Sequence, residues 1–352
     1  MDNMQVALQK AVEAKASDIF IISGYPMAFK IMDAIEPVDE QRLMPENTRN
    51  LIEQIYQLSN GRSMDGLLRT GDDDFSFSIQ GLGRFRCNAY MQRNSLAAVL
   101  RVVYFNLPDY RQLHIPETVM EMANRKKGLV LVTGSAGSGK STTLACIIDR
   151  INHTRKSHII TIEDPIEFLH SHKQSIISQR EVSHDTGSYA DALRGALRQS
   201  PNVILLGEMR DFSTINTVLT AAETGQLVLS TLHTVGAAKT VDRIVDVFPA
   251  DQQRQVRVQL SMVLEGVVSQ QLIPTKDGGL VPAFEIMKIN SAIRNLIREG
   301  KTHQIDNAIF SGGAEGMRTM DSDILSLYKQ GIITKENALL YAVNPELLEK
   351  KL

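Results

Sequence analysis

The stretch GLVLVTGSAGSGKSTTLACIIDRI, residues 128–151, leaves the chain few ways to fold. GLVLVTG (128–134) has the composition of a strand buried on both faces. The turn after it matches G-x-x-x-x-G-K-[ST] at Gly134, Gly139, Lys140 and Ser141, and TTLACIIDRI follows with helical spacing. In that order the loop Gly134, Ser135, Ala136, Gly137, Ser138, Gly139, Lys140, Ser141, Thr142 can curl its backbone N–H groups toward one phosphate chain. Lys140 adds a point charge for the β- and γ-phosphates, and the Ser141 hydroxyl can bind Mg2+. A chance glycine-rich turn would explain neither the strand before the loop nor the helix after it.

Three more apolar runs repeat the strand pattern: HIITIEDP (158–165), NVILLGE (202–208) and QLVLSTLHT (226–234), with helically spaced segments between them. Strands of this kind alternating with helices imply a parallel sheet covered on both faces. The first 103 residues read differently. Met4, Leu8, Ala11 and Val12 make a helical stripe, 18–23 a strand and 48–58 a helix. Alternation from Asp73 to Val103 around Gly-Leu-Gly marks antiparallel strands. NLPDYRQLHIPETV has little periodicity and supplies a linker at 104–116; beyond residue 290 the pattern is mostly helical.

A chain of 352 residues is too long for one ordinary core. A net charge of −2 gives no reason to expect direct nucleic-acid binding. Two cysteines, Cys87 and Cys146, without a CxxC pair make neither a disulfide framework nor a zinc site and suit a reducing compartment. No apolar run approaches the roughly 18 residues that a transmembrane helix needs. Lys10, Glu13 and Lys15 interrupt the N-terminus, which therefore does not read as a signal peptide. A cytoplasmic protein is expected, reaching the membrane only through a partner.

Phosphoryl transfer needs charge neutralisation and a positioned water. Acids stand at two later strand ends: Glu163, Asp164 and Glu167 in TIEDPIE, and Glu208 after VILLG. In a parallel sheet the strand ends share one edge, where ligands sit. There the carboxylates can serve as water activator and outer Mg2+ partner; taken singly, Asp164 reads equally as a helix cap and Glu208 as a solvated strand end. His233 ends a further strand, where it can sense a γ-phosphate.

Taken together, GRFRCNAY, GSGKSTTLA, TIEDPIEFLH, SQREV, ALRGALRQSPNVILLGEMRD, TAAETGQLVLSTLHT, AAKTVDRIVDVFP, PAFEIM and AIRNLIREGK resemble the PilT family of type IV pilus retraction ATPases in the secretion ATPase superfamily. The likeness covers about 80–340, and more weakly the N-terminal region. It implies that Gly207-Glu208 is the expected Walker B ending, with Glu208 positioning Mg2+ and its water. It implies that the acidic segment supplies the general base, assigned to Glu163. Where the family's histidine box opens with histidine this chain has Gln226, which hydrogen-bonds but carries no charge, while His233 is retained. Phe20 also stands where many members have histidine, and no role follows for it.

The resemblance further implies a homohexameric ring, with ATP between the core and an N-terminal domain whose arginines reach the phosphates. The matching residues are Arg84, Arg86 and Arg101, which read on position alone as exposed residues of alternating strands. AIRNLIREG (292–300) reads as an amphipathic helix with Ile293, Leu296 and Ile297 on one side and Gly300 as its C-cap. In the family it is a retraction signature. The expected fold is α/β. An N-terminal α+β, PAS-like domain (1–103) and the linker precede a RecA-like P-loop ATPase core (117–290) and a helical region (291–352). The expected activity is ATP hydrolysis with Mg2+, driving pilin disassembly through an inner-membrane platform protein at the inner face of the membrane. An assembly or secretion motor is the closest alternative, disfavoured by the missing four-cysteine zinc module and the AIRNLIRE stretch. A weakly hydrolysing accessory subunit, suggested by Gln226, is the more distant one.

Overall fold

The computed structural model describes residues 3–31, 34–103 and 107–352. Contacts group into two compact units, Met1–Asn106 and Leu107–Leu352. The first residues of the expected linker, 104–106, lie outside the described residues.

In the first unit, α1 (Met4–Glu13), α2 (Pro45–Leu58) and α3 (Asp65–Thr70) accompany strands β1 (Asp18–Ile21), β2 (Pro26–Ile31), β3 (Ala34–Arg42), β4 (Asp72–Ile79), β5 (Gly83–Gln92) and β6 (Ser95–Val103). The strands form one antiparallel sheet in the order β3-β2-β1-β6-β5-β4. Alternation buries Phe75, Phe77, Phe85, Cys87 and Leu100 against Met4, Leu8, Leu51 and Ile55 of the helices. The opposite positions of β5 and β6 place Arg84, Arg86 and Arg101 on the other face. The β2–β3 hairpin was not foreseen: β3 is largely exposed and carries Pro37 and four acidic residues or their amides among its nine, so it lacks an apolar period.

The second unit opens with α4 (Glu117–Met120). There follow β7 (Gly128–Thr133), α5 (Lys140–Thr154), β8 (His158–Glu163), β9 (Ile176–Glu181), α6 (Tyr189–Ala196), β10 (Val203–Leu206), α7 (Phe212–Glu223) and β11 (Leu227–Leu232). Next come α8 (Ala237–Asp246), α9 (Gln253–Val263), β12 (Leu264–Pro274) and β13 (Leu280–Lys288). The sheet order is β13-β12-β7-β11-β10-β8-β9. Strands from β12 to β9 pair in parallel, and β13 runs antiparallel at the edge, so the expected parallel sheet is a mixed one. Every residue of β7, β10 and β11 is buried, as their continuous apolar runs require. Each large aliphatic side chain so buried contributes about 1.5–3 kcal/mol.

The tail is helical: α10 (Ser291–Arg298), α11 (Ile305–Ser311), α12 (Met320–Lys329), α13 (Lys335–Tyr341) and α14 (Pro345–Glu349). Asn290 caps α10, its Oδ1 accepting from the Ile293 N–H at 3.0 Å. Ile293 and Ile297 are fully buried in the same core as the sheet. Arg294 is half-buried and turned onto the end of α9. Its Nη1 donates to the carbonyls of Ser261 and Met262 at 2.7 and 2.9 Å, and its Nη2 to Glu265 Oε1 at 3.1 Å. It therefore satisfies orphan carbonyls at the end of α9. Arg294→Ala is expected to lower unfolding stability by about 1.5–3 kcal/mol, read as a lower urea midpoint with unchanged slope. Arg294→Lys should recover only part of it, because one ammonium cannot span all three oxygens.

Candidate active site

Parallel pairing carries the ends of β7, β11, β10 and β8 to one sheet edge, and Gly134, His233, Glu208 and Glu163 stand at those ends. Gly134 has φ +143°, and a Cβ there would drive into the Gln270 carbonyl and come within 2.6 Å of Ser138 Oγ. Gly139, at φ +86°, turns the loop into α5. Lys140 is buried at the start of α5, its Nζ donating to the carbonyls of Gly134 and Ser135 at 2.9 and 2.7 Å. Burial pulls its pKa down, opposed by the negative charges of Glu167 and Glu208.

The loop fits an anion. Ser138 Oγ and Thr133 Oγ1 are buried without a hydrogen-bond partner, a costly state that a bound acceptor or donor would relieve. Ser135, Ala136 and Gly137 are exposed, and Ser141 and Thr142 half-buried at the first turn of α5. Beyond Gly139, Thr142 and Thr143 a cavity of about 250 Å³ opens, walled by Leu113, Ile115, Leu272 and Pro282.

Glu163 Oε1 accepts from Thr161 Oγ1 at 2.6 Å and from Gln179 Nε2 at 3.4 Å. Enough protein surrounds its half-buried side chain that desolvation pushes its pKa up to about 7, against those hydrogen bonds. Glu181, buried at the end of β9, holds the acidic segment in place by accepting from the Ile166 N–H at 3.0 Å. Glu208 pairs with Arg210, and His233 Nε2 lies 3.4 Å from its other oxygen. Gly207 is bound on both sides, donating its N–H to the Ile162 carbonyl at 2.8 Å and accepting from Thr231 Oγ1 at 2.6 Å. Tyr189 Oη stands 2.7 Å from the place a Cβ on Gly207 would occupy. The glycine before Glu208 therefore leaves room for a tyrosine hydroxyl.

Other expected residues fall elsewhere. Gln226 immediately precedes β11, roughly 20 Å along the strand direction from His233, and accepts from Thr224 Oγ1 at 2.8 Å. It therefore lies at the opposite end of the strand from the phosphate-loop edge. In the first unit, Arg86 pairs with Asp74 (Nη2–Oδ2 2.6 Å) and Arg101 with Asp18 (Nε–Oδ1 3.1 Å). Arg86 and Arg101 face each other across β5 and β6, so the two aspartates offset a like-charge pair. With Asn88 and Val99 these four line a cavity of about 300 Å³. Arg84 is half-buried, its Nη1 3.5 Å from Ser78 Oγ. Tyr189, Thr143 and Gln270 escaped the sequence reading. The one available signal was a polar stretch, Ser269-Gln270-Gln271, between the apolar pairs Val267-Val268 and Leu272-Ile273 of β12.

The family model described as type II/IV secretion system protein matches residues 2–314. A type IV pilus retraction ATPase, PilT, of Pseudomonas aeruginosa is 45% identical over 331 residues, 94% of this chain and 95% of its own length. A twitching motility protein of Neisseria gonorrhoeae is 52% identical over 274 residues, 78% of this chain and 73% of its own. The crystal structure of the pilus retraction motor PilT with bound ADP superposes with a TM-score of 0.91 at 47% identity, covering 99% of each chain.

The crowding at Gly207 gives a direct test. Gly207→Ala is expected to lower stability by about 1–3 kcal/mol through overpacking against Tyr189 Oη. Adding Tyr189→Phe, which removes that oxygen alone, should restore most of the loss in thermal melts.

Proposed function

The chain belongs to the type II/IV secretion system protein family, and within it to the type IV pilus retraction ATPases; on that premise we propose how its residues run an ATP-hydrolysing motor for pilus retraction. The reading is carried by Lys140, Glu163, Glu208 and His233, gathered at one sheet edge beside a loop with unsatisfied buried hydroxyls. The loop amides of 134–142 and Lys140 hold the phosphates of ATP, and the cavity beyond Gly139 takes the nucleobase. Ser141 and Glu208 are the residues that would hold Mg2+, which when bound neutralises phosphate charge. Glu163 draws the proton from the attacking water, a task that suits a carboxylate titrating near neutrality. His233, beside Glu208, reads the γ-phosphate.

In this proposal six copies form a ring in the cytoplasm, peripheral to the inner membrane. Arg84, Arg86 and Arg101 serve the phosphates within that ring, Arg86 and Arg101 exchanging Asp74 and Asp18 for phosphate oxygens. Closure and opening of the two units about the segment near 104–116 passes the work to an inner-membrane platform protein, which returns pilins to the membrane.

Glu163 must be ionised to act. Because its pKa is raised to about 7, the active fraction falls below that pH, so kcat/KM for ATP should rise with pH through about 7 and level off above it. Glu163→Gln should lower phosphate release by about 10²–10⁴-fold and abolish that limb of the profile. In cells, Glu208→Ala should give excess surface pili that no longer retract, scored by electron microscopy and twitching zones. Loss of pili would instead indicate an assembly motor, and unchanged behaviour an accessory subunit.

A further inference from the structure

β12 lies beside β7 in parallel register, with Ser269 opposite Thr133. The next residue, Gln270, is nearly fully buried and meets the phosphate loop at two points and the helix after it at a third. Its backbone carbonyl occupies the space a side chain on Gly134 would need. Its Oε1 accepts from Thr143 Oγ1 at 2.7 Å, a buried bond between residues 127 positions apart. Its Nε2 stands 2.8 Å from where a Cβ on Gly139 would be. One residue therefore abuts both glycines that shape the loop and the first turn of the helix that follows it. Ser269, pointing to the other face, accepts from the Gly236 N–H at 2.9 Å. It thereby holds the segment that leads from His233 into α8.

We propose that Gln270 is a positioning residue for nucleotide binding: its amide sets the curvature of 134–139 and the tilt of the first turn of α5, and so the aim of the loop's N–H groups. The proposal rests on the reading of 134–142 as the nucleotide site. An apolar side chain at 270 would still fill the space. It would leave Thr143 Oγ1 buried without that acceptor, and the first turn of α5 would lose its side-chain tie to β12. The misplacement falls on donors that must meet phosphate oxygens within a few tenths of an ångström.

The test is a double-mutant cycle on the full-length protein with Gln270→Met, which keeps the length and removes both amide polar atoms, and Thr143→Val. The probe is MgATP, with affinity read by titration calorimetry and by the rise in melting temperature that the nucleotide produces. Each single variant is expected to weaken MgATP binding about tenfold, and the double variant no further, because both remove the same bond. A purely structural Gln270 would lower the nucleotide-free melting temperature while the MgATP-induced rise and the affinity stayed at wild-type values; that result, or strict additivity of the two variants, overturns the proposal. Lys140→Ala separates the two levels. If MgATP affinity survives Lys140→Ala, the loop is not the nucleotide site and the underlying reading fails; if it is lost there but untouched in Gln270→Met, only the positioning role fails.

Discussion

The close approach of β7 and β12 at Gly134 is the contact on which the site depends. A loop that presents a row of N–H groups to an anion must expose donors that would otherwise pair in the sheet, so something outside the loop has to hold its shape. Here it is the strand next door. The Gln270 carbonyl presses where a Cβ would be, and only a residue without one, free to take φ +143°, can stand there. Lys140 finishes the arrangement by folding its ammonium onto the carbonyls of Gly134 and Ser135, giving a buried cation two acceptors. The anion-binding shape is therefore fixed by packing, and the charge is poised at its mouth.

The two acids that end β10 and β8 sit in different surroundings. Glu208, just past the end of β10, pairs with Arg210 and has His233 Nε2 at 3.4 Å from its other oxygen. Glu163, one strand over, is surrounded by protein and held by neutral donors, Thr161 and Gln179, that stabilise the carboxylate less than an arginine would. Its pKa rises toward neutrality as a result. A carboxylate held in this way can take up a proton near neutral pH.

Much of this was legible in the sequence because it follows from short-range pattern. The strands β7, β8, β10 and β11 announce themselves as apolar runs, and the loop at 134–142 by its glycines and lysine. What stayed hidden depends on partners distant in the chain. β13 is as apolar as a parallel strand, and only its hairpin connection to β12 makes it antiparallel. The need for glycine at 207 lies in Tyr189, eighteen positions earlier on another element, and the importance of Gln270 lies in glycines more than 130 positions away. Gln226 was the opposite case. Its place in a motif suggested a defect in the site, whereas the strand carries it to the far edge of the sheet.

The retraction-signature helix α10 shows how a family motif can mix two kinds of constraint. Ile293 and Ile297 are fully buried, and Arg294 is spent on the end of α9 and on Glu265, which also binds Arg125 at 3.3 Å. Those positions are therefore held by the fold. Ala292, Asn295, Arg298 and Glu299 are exposed and are the motif's residues on the open face. The residue that α9 hands on to is Leu264, the first of β12, and six residues later the same strand presses on the phosphate loop. A displacement of α10 would thus be felt at one end of the strand whose middle shapes the nucleotide site. Helix α10, through Arg294 and Glu265, and the phosphate-loop helix α5, through Thr143 and Gln270, thus both rest on β12.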